Sequence, residues 1–353
     1  MPSSRGGTTL VVSIGDGRGG IGKFAERAAA GMATHGTVRL CRSDLDADTF
    51  SGVIRQVCQL RASATGCRTI VLQASPYHWS RGSALCGLFQ AFLIHVVFFR
   101  RIVLIMHDTP SGRLRRPTLY PRLIVLMHWV VARKLVFLSQ AERTQAGLAG
   151  KGRRVYVVPL YIENRSVARA TAPMNPSALR LGVVGFIDSR KDPLFLLEVV
   201  QRIQGVHLTF LGGALPGEEG LTRRLQAKIR TLGLETQVKI TGYLSECDMD
   251  RELARINIGL CLYRQAATSA SLSTLLAARR PIVASNLPIF REYAATAPLA
   301  ISIVDMDPDE VTRAILAMAR RPSDWCQDIE KLSESRSLSN FGKALWKVVD
   351  SAA

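Results

Sequence analysis

The sequence predicts an α/β protein built from two doubly wound, parallel-sheet domains, and three observations carry this reading. Short apolar runs of strand length alternate with helical segments from one end of the chain to the other, the pattern of repeated βαβ units. Several of the runs, Ile102 to Met106 and Leu135 to Leu138 among them, are wholly apolar, as strands buried on both faces favour. Small-residue loops stand between strand ends and helices, Gly19-Gly20-Ile21-Gly22 early and Thr268-Ser269-Ala270-Ser271 late, where open sheets of this kind bind ligands. At 353 residues and 47% hydrophobic composition, the chain holds enough apolar material for two cores.

The first domain is expected over residues 1–170. Strand Thr9 to Ile14 leads through a glycine loop at 15–22 into a helix from Lys23 to Thr34. Gly20 and Gly22 permit close backbone approach to a ligand there. Strand Val38 to Cys41, helix Thr49 to Ala62 and strand Thr69 to Gln73 follow. Ala84 to Phe99 is the most apolar segment, closed by Arg100-Arg101. It is shorter than the roughly 20 residues of a membrane span, so it reads as a sheet-packing helix with one face available to a membrane. Strand Ile102 to Met106 ends at His107-Asp108. Arg113, Arg115, Arg116 and Arg122 then alternate with Leu114, Leu119, Tyr120 and Leu123, and the run continues past Trp129 to Arg133-Lys134. This is the composition of an interfacial segment, or of a partly buried helix that leaves its arginines in water. Strand Leu135 to Leu138, helix Gln140 to Ala149 and strand Arg154 to Val158 complete the domain. Asn164 to Ser177, with Pro173 and Pro176, reads as the linker.

The second domain is expected over 178–335. Its strands are Leu181 to Phe186, Leu208 to Gly213, Val238 to Tyr243, Ile256 to Tyr263 and Ile282 to Ser285. Arg190-Lys191-Asp192-Pro193 forms a basic turn after the first of these, and a helix from Leu272 to Ala278 is stopped at Arg279-Arg280-Pro281. Leu338, Phe341, Leu345, Val348 and Val349 recur at helical spacing and mark a final helix over 338–352.

Charge is unevenly distributed. Residues 1–170 carry 24 Lys+Arg against 8 Asp+Glu, a net of +16, while residues 171–353 carry 22 against 20, a net of +2. A polyanionic partner of the first half is implied. No basic helix with interleaved aromatics points to nucleic acid, so an anionic membrane surface is the expected partner. The seven cysteines are scattered without a C-x-x-C pair and read as reduced thiols of a cytoplasmic protein without a zinc site.

The passage from Ile256 to Tyr293 resembles the nucleotide-sugar site of glycosyltransferase family 4. A small-rich loop, a helix, Arg279-Arg280, Pro281-Ile282-Val283-Ala284-Ser285, Pro288 and Arg291-Glu292 follow in the family's order. Leu181 to Phe186 with Lys191, the glycine loop at 19–22 and the strand ending at His107 extend the likeness over most of the chain. The resemblance implies a GT-B fold, two Rossmann-like domains facing a central cleft, with helix 338–352 returning to the first domain. It also implies a retaining, metal-independent hexosyltransferase with no cofactor beyond its nucleotide-sugar co-substrate. The acceptor is expected to be a saccharide or a lipid-linked saccharide in polysaccharide or cell-envelope assembly, with the protein peripheral on the inner face of the cell membrane.

The resemblance assigns the donor to Gly185, Tyr263, Thr268, Ser269, Ala270, Ser271 and Thr274, together with Gly20 and Gly22. Lys191 matches the family's lysine. The family's arginine is replaced by Phe186, so Arg190 is expected to take its charge. His107 is expected to contact the transferred sugar. The family's two glutamates fall on Ala266 and Thr274, so this chain is a divergent member. A catalytically inactive binding or scaffold protein of a polysaccharide assembly complex is the alternative, and a nucleic-acid-binding protein using the arginine-rich half is a further rival. Asp46-x-Asp48, Asp248-x-Asp250 and Asp305-x-Asp307 match the metal–diphosphate pattern of the other large glycosyltransferase fold. Their recurrence in unrelated contexts weakens each, and no metal is expected.

Overall fold

The computed structural model describes residues 7–14, 20–43, 49–74, 84–99, 101–107, 132–147, 154–168, 174–175, 178–266, 268–321 and 324–351. The chain forms two compact units, residues 1–161 with 338–353, and residues 162–337. Each is a six-stranded parallel sheet covered by helices.

In the first unit the strands are β1 (Thr8–Ile14), β2 (Val38–Ser43), β3 (Cys67–Ala74), β4 (Ile102–Met106), β5 (Lys134–Phe137) and β6 (Val155–Val157), in the order β2-β1-β3-β4-β5-β6. Every residue of β4 and β5 is buried, which is why the sequence there is an unbroken apolar run apart from Lys134. Helices Phe50–Ser63 and Ala84–Val97 fill one face of the sheet with Val53, Val57, Leu60, Ala91 and Ile94. Helices Gly20–Ala33 and Leu338–Asp350 fill the other with Phe24, Ala28, Met32, Phe341 and Leu345. Thr49 starts its helix by accepting the Gly52 N–H at 3.2 Å.

In the second unit β7 (Arg180–Val184), β8 (His207–Leu211), β9 (Val238–Ile240), β10 (Ile258–Cys261), β11 (Ile282–Ser285) and β12 (Ile301–Val304) lie in the order β12-β11-β10-β7-β8-β9. The chain winds outward from β7 to β9, then crosses to β10 and winds the other way. The strand direction of travel therefore reverses between β7 and β10, and ligands of doubly wound sheets sit outside the carboxyl ends of the strands at such a switch point.

Several sequence expectations are corrected. The first helix begins at Gly20, so Gly20 and Gly22 belong to its first turn and not to a loop. The helix after β10 spans Ala270–Ala277 with Ser269 as its cap, which moves Ala270 and Ser271 from loop to helix. β10 is shorter than Ile256 to Tyr263 because Ile256 caps the preceding helix Glu246–Arg255. The segment after Tyr161 clusters with the second unit, ahead of the expected end of the first domain at 170. The Ile162 N–H donates to the Arg336 carbonyl at 2.8 Å and Met174 N–H to Ala319 at 3.1 Å. Arg165 pairs with Glu246 at 2.7 Å and with Asp250. Lys134, expected at the end of an interfacial run, is buried in β5 and donates to the Val348 carbonyl at 2.8 Å and to Ser351 Oγ at 2.7 Å. Arg133 beside it is partly buried, and the run from Arg113 through Trp129 lies outside the described residues, as do Gly19, Asp46, Asp48 and Asp108. No helix among the described residues is long and apolar enough to cross a membrane.

Candidate functional site

The site in the second unit is built on the carboxyl ends of β7 and β10. After Val184 the chain turns at Gly185 with φ 92°, a left-handed conformation that glycine adopts without steric cost. Asp188, buried, then accepts the Arg190 N–H at 2.9 Å and the Lys191 N–H at 3.2 Å and so caps the short 3-10 turn Ser189–Lys191. Asp188 also pairs with the Arg190 guanidinium at 2.9 Å. The turn aims Lys191 back under the strand end, where its ammonium donates to the Val184 carbonyl at 2.9 Å and the Phe186 carbonyl at 2.8 Å. These take two of its three N–H donors and leave one for a ligand.

Burial governs the electrostatics of this corner. It pulls the Lys191 ammonium down to about 8, with Asp188 opposing the shift. It pushes the Cys261 thiol up to about 12 and the Tyr263 phenol well above its ordinary value. Tyr263 and Cys261 are therefore neutral at physiological pH, and Lys191 is the group poised to titrate. The Lys191 ammonium stands 5.6 Å from the centre of the Tyr263 ring. The buried Tyr263 hydroxyl lies beside Ser269 and Ser271 yet has no hydrogen-bond partner of good geometry.

The hydroxyl-rich turn closes the site. Ser269 accepts the Leu272 N–H at 3.1 Å and caps helix Ala270–Ala277, whose first-turn amides and positive dipole end favour an anion. Ser271 Oγ donates to the Val184 carbonyl at 2.8 Å, which joins this helix to the strand carrying Gly185 and Lys191. Thr274 Oγ1 donates to the Ala270 carbonyl at 3.0 Å, one turn into the helix. Ala266 and Thr268 stand in the loop before the cap. Gly185, Lys191, Tyr263, Ser269, Ala270 and Ser271 are thus brought together. Arg190 is half-exposed and engaged with Asp188. A diphosphate meets in this corner an ammonium, a helix N-terminus and hydroxyl groups.

The first unit holds the remaining predicted residues. His107 follows β4, its N–H donating to the Ala74 carbonyl at 2.7 Å. Its ring lies edge-on to Phe24 with centroids 4.8 Å apart, and Nε2 is 2.8 Å from Gln73 Oε1. Gly22, buried in the first helical turn, accepts from Ser13 Oγ through its carbonyl at 3.3 Å. Gly20 has open space where a β-carbon would stand.

Two of the D-x-D pairs do structural work. Asp248 pairs with Ser245 and Arg251, and Asp250 with Arg165. Asp307 caps helix Pro308–Arg320, and Asp305 accepts from Asn286 at 3.0 Å. Asp188, Gln73 and Arg264 are functional neighbours that sequence reasoning missed. Arg264 binds the Arg190 carbonyl through its N–H at 2.7 Å and Asp192 through its guanidinium at 2.8 Å. The Asp188-Ser189 pair ahead of the basic turn was the available signal, since Asp is a favoured cap.

Residues 178–321 match the family described as Glycosyl transferases group 1. No curated protein sequence matches the chain. Among solved structures, the Anabaena protein Alr3699/HepE in complex with UDP and glucose is 14% identical, with a TM-score of 0.74 over 98% of this chain and 100% of that one. Sucrose-phosphate synthase from Thermosynechococcus elongatus is 14% identical, with a TM-score of 0.75 over 98% and 100% of the two chains. The lipopolysaccharide outer core galactosyltransferase WaaB is 12% identical, with a TM-score of 0.65 over 96% and 99%. The architecture is the GT-B fold.

Proposed function

We propose that this chain is a glycosyltransferase that takes a sugar from a nucleotide-diphosphate sugar and passes it to a saccharide acceptor. The observation that carries the reading is the corner where Lys191, the Ser269-capped helix and Ser271 meet at the end of β7. As the glycosidic bond to the donor breaks, the departing nucleoside diphosphate gains negative charge. A fixed ammonium and a helix N-terminus stabilise that charge more in the transition state than in the ground state. The ammonium has a pKa of about 8 and is protonated at neutral pH. The match of residues 178–321 to the glycosyl transferases supports the reading and falls on the second unit, and the UDP bound to HepE supports a nucleotide donor.

The same reading assigns the acceptor to the basic first unit, and it gives His107 the transferred sugar as its contact. Retention of configuration, independence from metal and a lipid-linked acceptor are further parts of the proposal, resting on the resemblance. A second reading, a donor-binding protein without turnover, is favoured by one observation. By the resemblance to family 4, the positions of that family's two glutamates fall on Ala266 and Thr274, neither of which carries a carboxylate.

A thermal-shift series of nucleoside diphosphates and their sugars, on wild type and Lys191→Met, tests the reading. A ligand at 100 times its Kd stabilises the folded state by about 2.7 kcal/mol. One nucleotide series is expected to raise the wild-type Tm by several degrees and to leave Lys191→Met unmoved. Release of nucleoside diphosphate from that donor then separates transferase from non-catalytic binder. Indifference of the wild type to every nucleotide at saturation overturns both.

A further inference from the structure

We infer that the paired outer faces of helices Phe50–Ser63 and Ala84–Val97 form an interfacial docking surface for an anionic lipid bilayer. Helix Ala84–Val97 and the two residues after it contain no charged side chain. One side of it packs into the core through Cys86, Ala91, Ile94 and Phe98. A helix that is apolar all round must cover its second side as well. That side is open, since Leu85, Phe92, Val96 and Phe99 are between 56% and 67% exposed. Their spacing of seven, four and three residues places them on one stripe.

The stripe is widened by the neighbouring helix. Phe50 and Ile54, four residues apart and both about half exposed, share a face. The Phe50 ring meets Phe89 edge-on with centroids 5.2 Å apart, and Gln56 accepts from Gln90 across the pair at 2.9 Å. Six large apolar side chains thus stand in solvent on two packed helices, a concentration that marks an interaction surface.

Charge names the occupant. From Thr49 to His107 the sequence has no Asp or Glu, and it has Arg55, Arg61, Arg68, Arg81, Arg100 and Arg101. Arg61 continues the Phe50–Ile54 stripe at helical spacing and is exposed. Past the helix ends, Arg101 reaches the Cys67 and Arg68 carbonyls, and Arg39 reaches those of Ser63 and Thr65. These contacts collect cations at the edge of the apolar face. The described residues of these two helices include no carboxylate, so two copies of the face repel one another, whereas anionic headgroups neutralise it while the acyl boundary receives the aromatic side chains. The surface belongs to the first unit alone and does not depend on the donor-site reading.

Co-sedimentation of the full chain with phosphatidylglycerol-containing vesicles, against phosphatidylcholine vesicles, is the test. The wild type is expected to bind the anionic vesicles, and high salt is expected to weaken binding. Leu85→Ser/Phe92→Ser/Phe99→Ser is expected to lose at least about tenfold in partitioning while keeping the wild-type melting temperature, because the three side chains are exposed. Arg55→Glu/Arg61→Glu is expected to weaken binding to anionic vesicles and to flatten its salt dependence. Failure of the wild type to bind, equal binding to both vesicle types, or wild-type binding by the serine variant overturns the inference. So does a wild-type dimer in sedimentation velocity that the serine variant converts to monomer, which assigns the face to a second copy.

Discussion

The Lys191 ammonium occupies the space next to the missing side chain of Gly185. A β-carbon at 185 would lie 3.0 Å from Lys191 Nζ and 3.2 Å from Ser271 Oγ. The ammonium cannot retreat freely, because the Val184 and Phe186 carbonyls hold it from both sides of the glycine. Gly185→Ala therefore meets two obstacles, a left-handed backbone at φ 92° and a crowded ammonium. The left-handed conformation alone costs about 1–2 kcal/mol for a residue with a β-carbon. Urea denaturation is expected to show at least that loss, and the nucleotide-induced rise in Tm is expected to vanish. An alanine variant that melts with the wild type and still responds to nucleotide contradicts both arguments.

Lys191 also sets a pH window. Burial lowers its pKa to about 8 from the ordinary value near 10.5. Between these values the unfolded chain binds the proton and the folded one does not, so stability rises with pH across that window. Below about 8 the ammonium is charged in both states and its burial penalty is constant. Binding of an anionic diphosphate runs the opposite way, because it needs the charged form. Nucleotide affinity is expected to be flat below about pH 8 and to fall above it, approaching tenfold per unit for a single obligatory proton. Lys191→Met, which is expected not to bind nucleotide, is expected to remove the stability slope. Calorimetric titration at pH 7, 8.5 and 9.5 reads the affinity arm, and a wild-type affinity unchanged across that range refutes the assignment.

The sequence disclosed most where burial is complete. Ile102 to Met106 and Ile282 to Ser285 match the sequence reading to the residue because strands buried on both faces are dominated by apolar side chains. Helix starts were less legible. Gly20 and Gly22 read as loop because glycine is unfavourable inside a helix, and Ala270 because it sits within the hydroxyl run Thr268 to Ser271, yet the amides of a first turn make no backward hydrogen bonds and that turn tolerates such residues. Lys134 and Asp188 look like solvated charges in the sequence. Their partners, the Val348 carbonyl for one and the turn amides with Arg190 for the other, are set by tertiary packing and turn geometry that no periodicity reports.

Ser269 separates folding from binding. Its hydroxyl caps helix Ala270–Ala277, and Ser269→Ala is expected to cost about 1 kcal/mol. Ser269→Asp keeps a capping oxygen and adds a negative charge at the positive end of the helix dipole, so the folded protein is expected to hold or gain stability. A diphosphate at that same helix end would face like charge. Nucleotide affinity is therefore expected to fall by more than about tenfold, equivalent to about 1.4 kcal/mol, in a variant that melts no lower than the wild type. Undiminished affinity in Ser269→Asp places the phosphates elsewhere.

The helix that closes the first unit is held by an unusually close crossing. A β-carbon on Gly342 would fall 2.1 Å from the Gly31 carbonyl oxygen, and one on Gly31 would fall 2.8 Å from the Leu338 carbonyl oxygen. Both obstacles are backbone, which cannot rotate aside. Moving helix Leu338–Asp350 outward would open the contacts of Phe341, Leu345 and Val348 with Phe24, Ala28 and Met32, and would draw the Val348 carbonyl off buried Lys134. Gly342→Ala is therefore expected to destabilise the first unit by about 3 kcal/mol, at the upper end of overpacking costs. Gly31→Ala is expected to cost less, and the double variant less than the sum, because one displacement relieves both clashes. Denaturant midpoints of the two single variants and the double measure this directly. Additive losses would mean that the two glycines act at separate contacts, and a wild-type midpoint for Gly342→Ala would mean that the helices cross with room to spare.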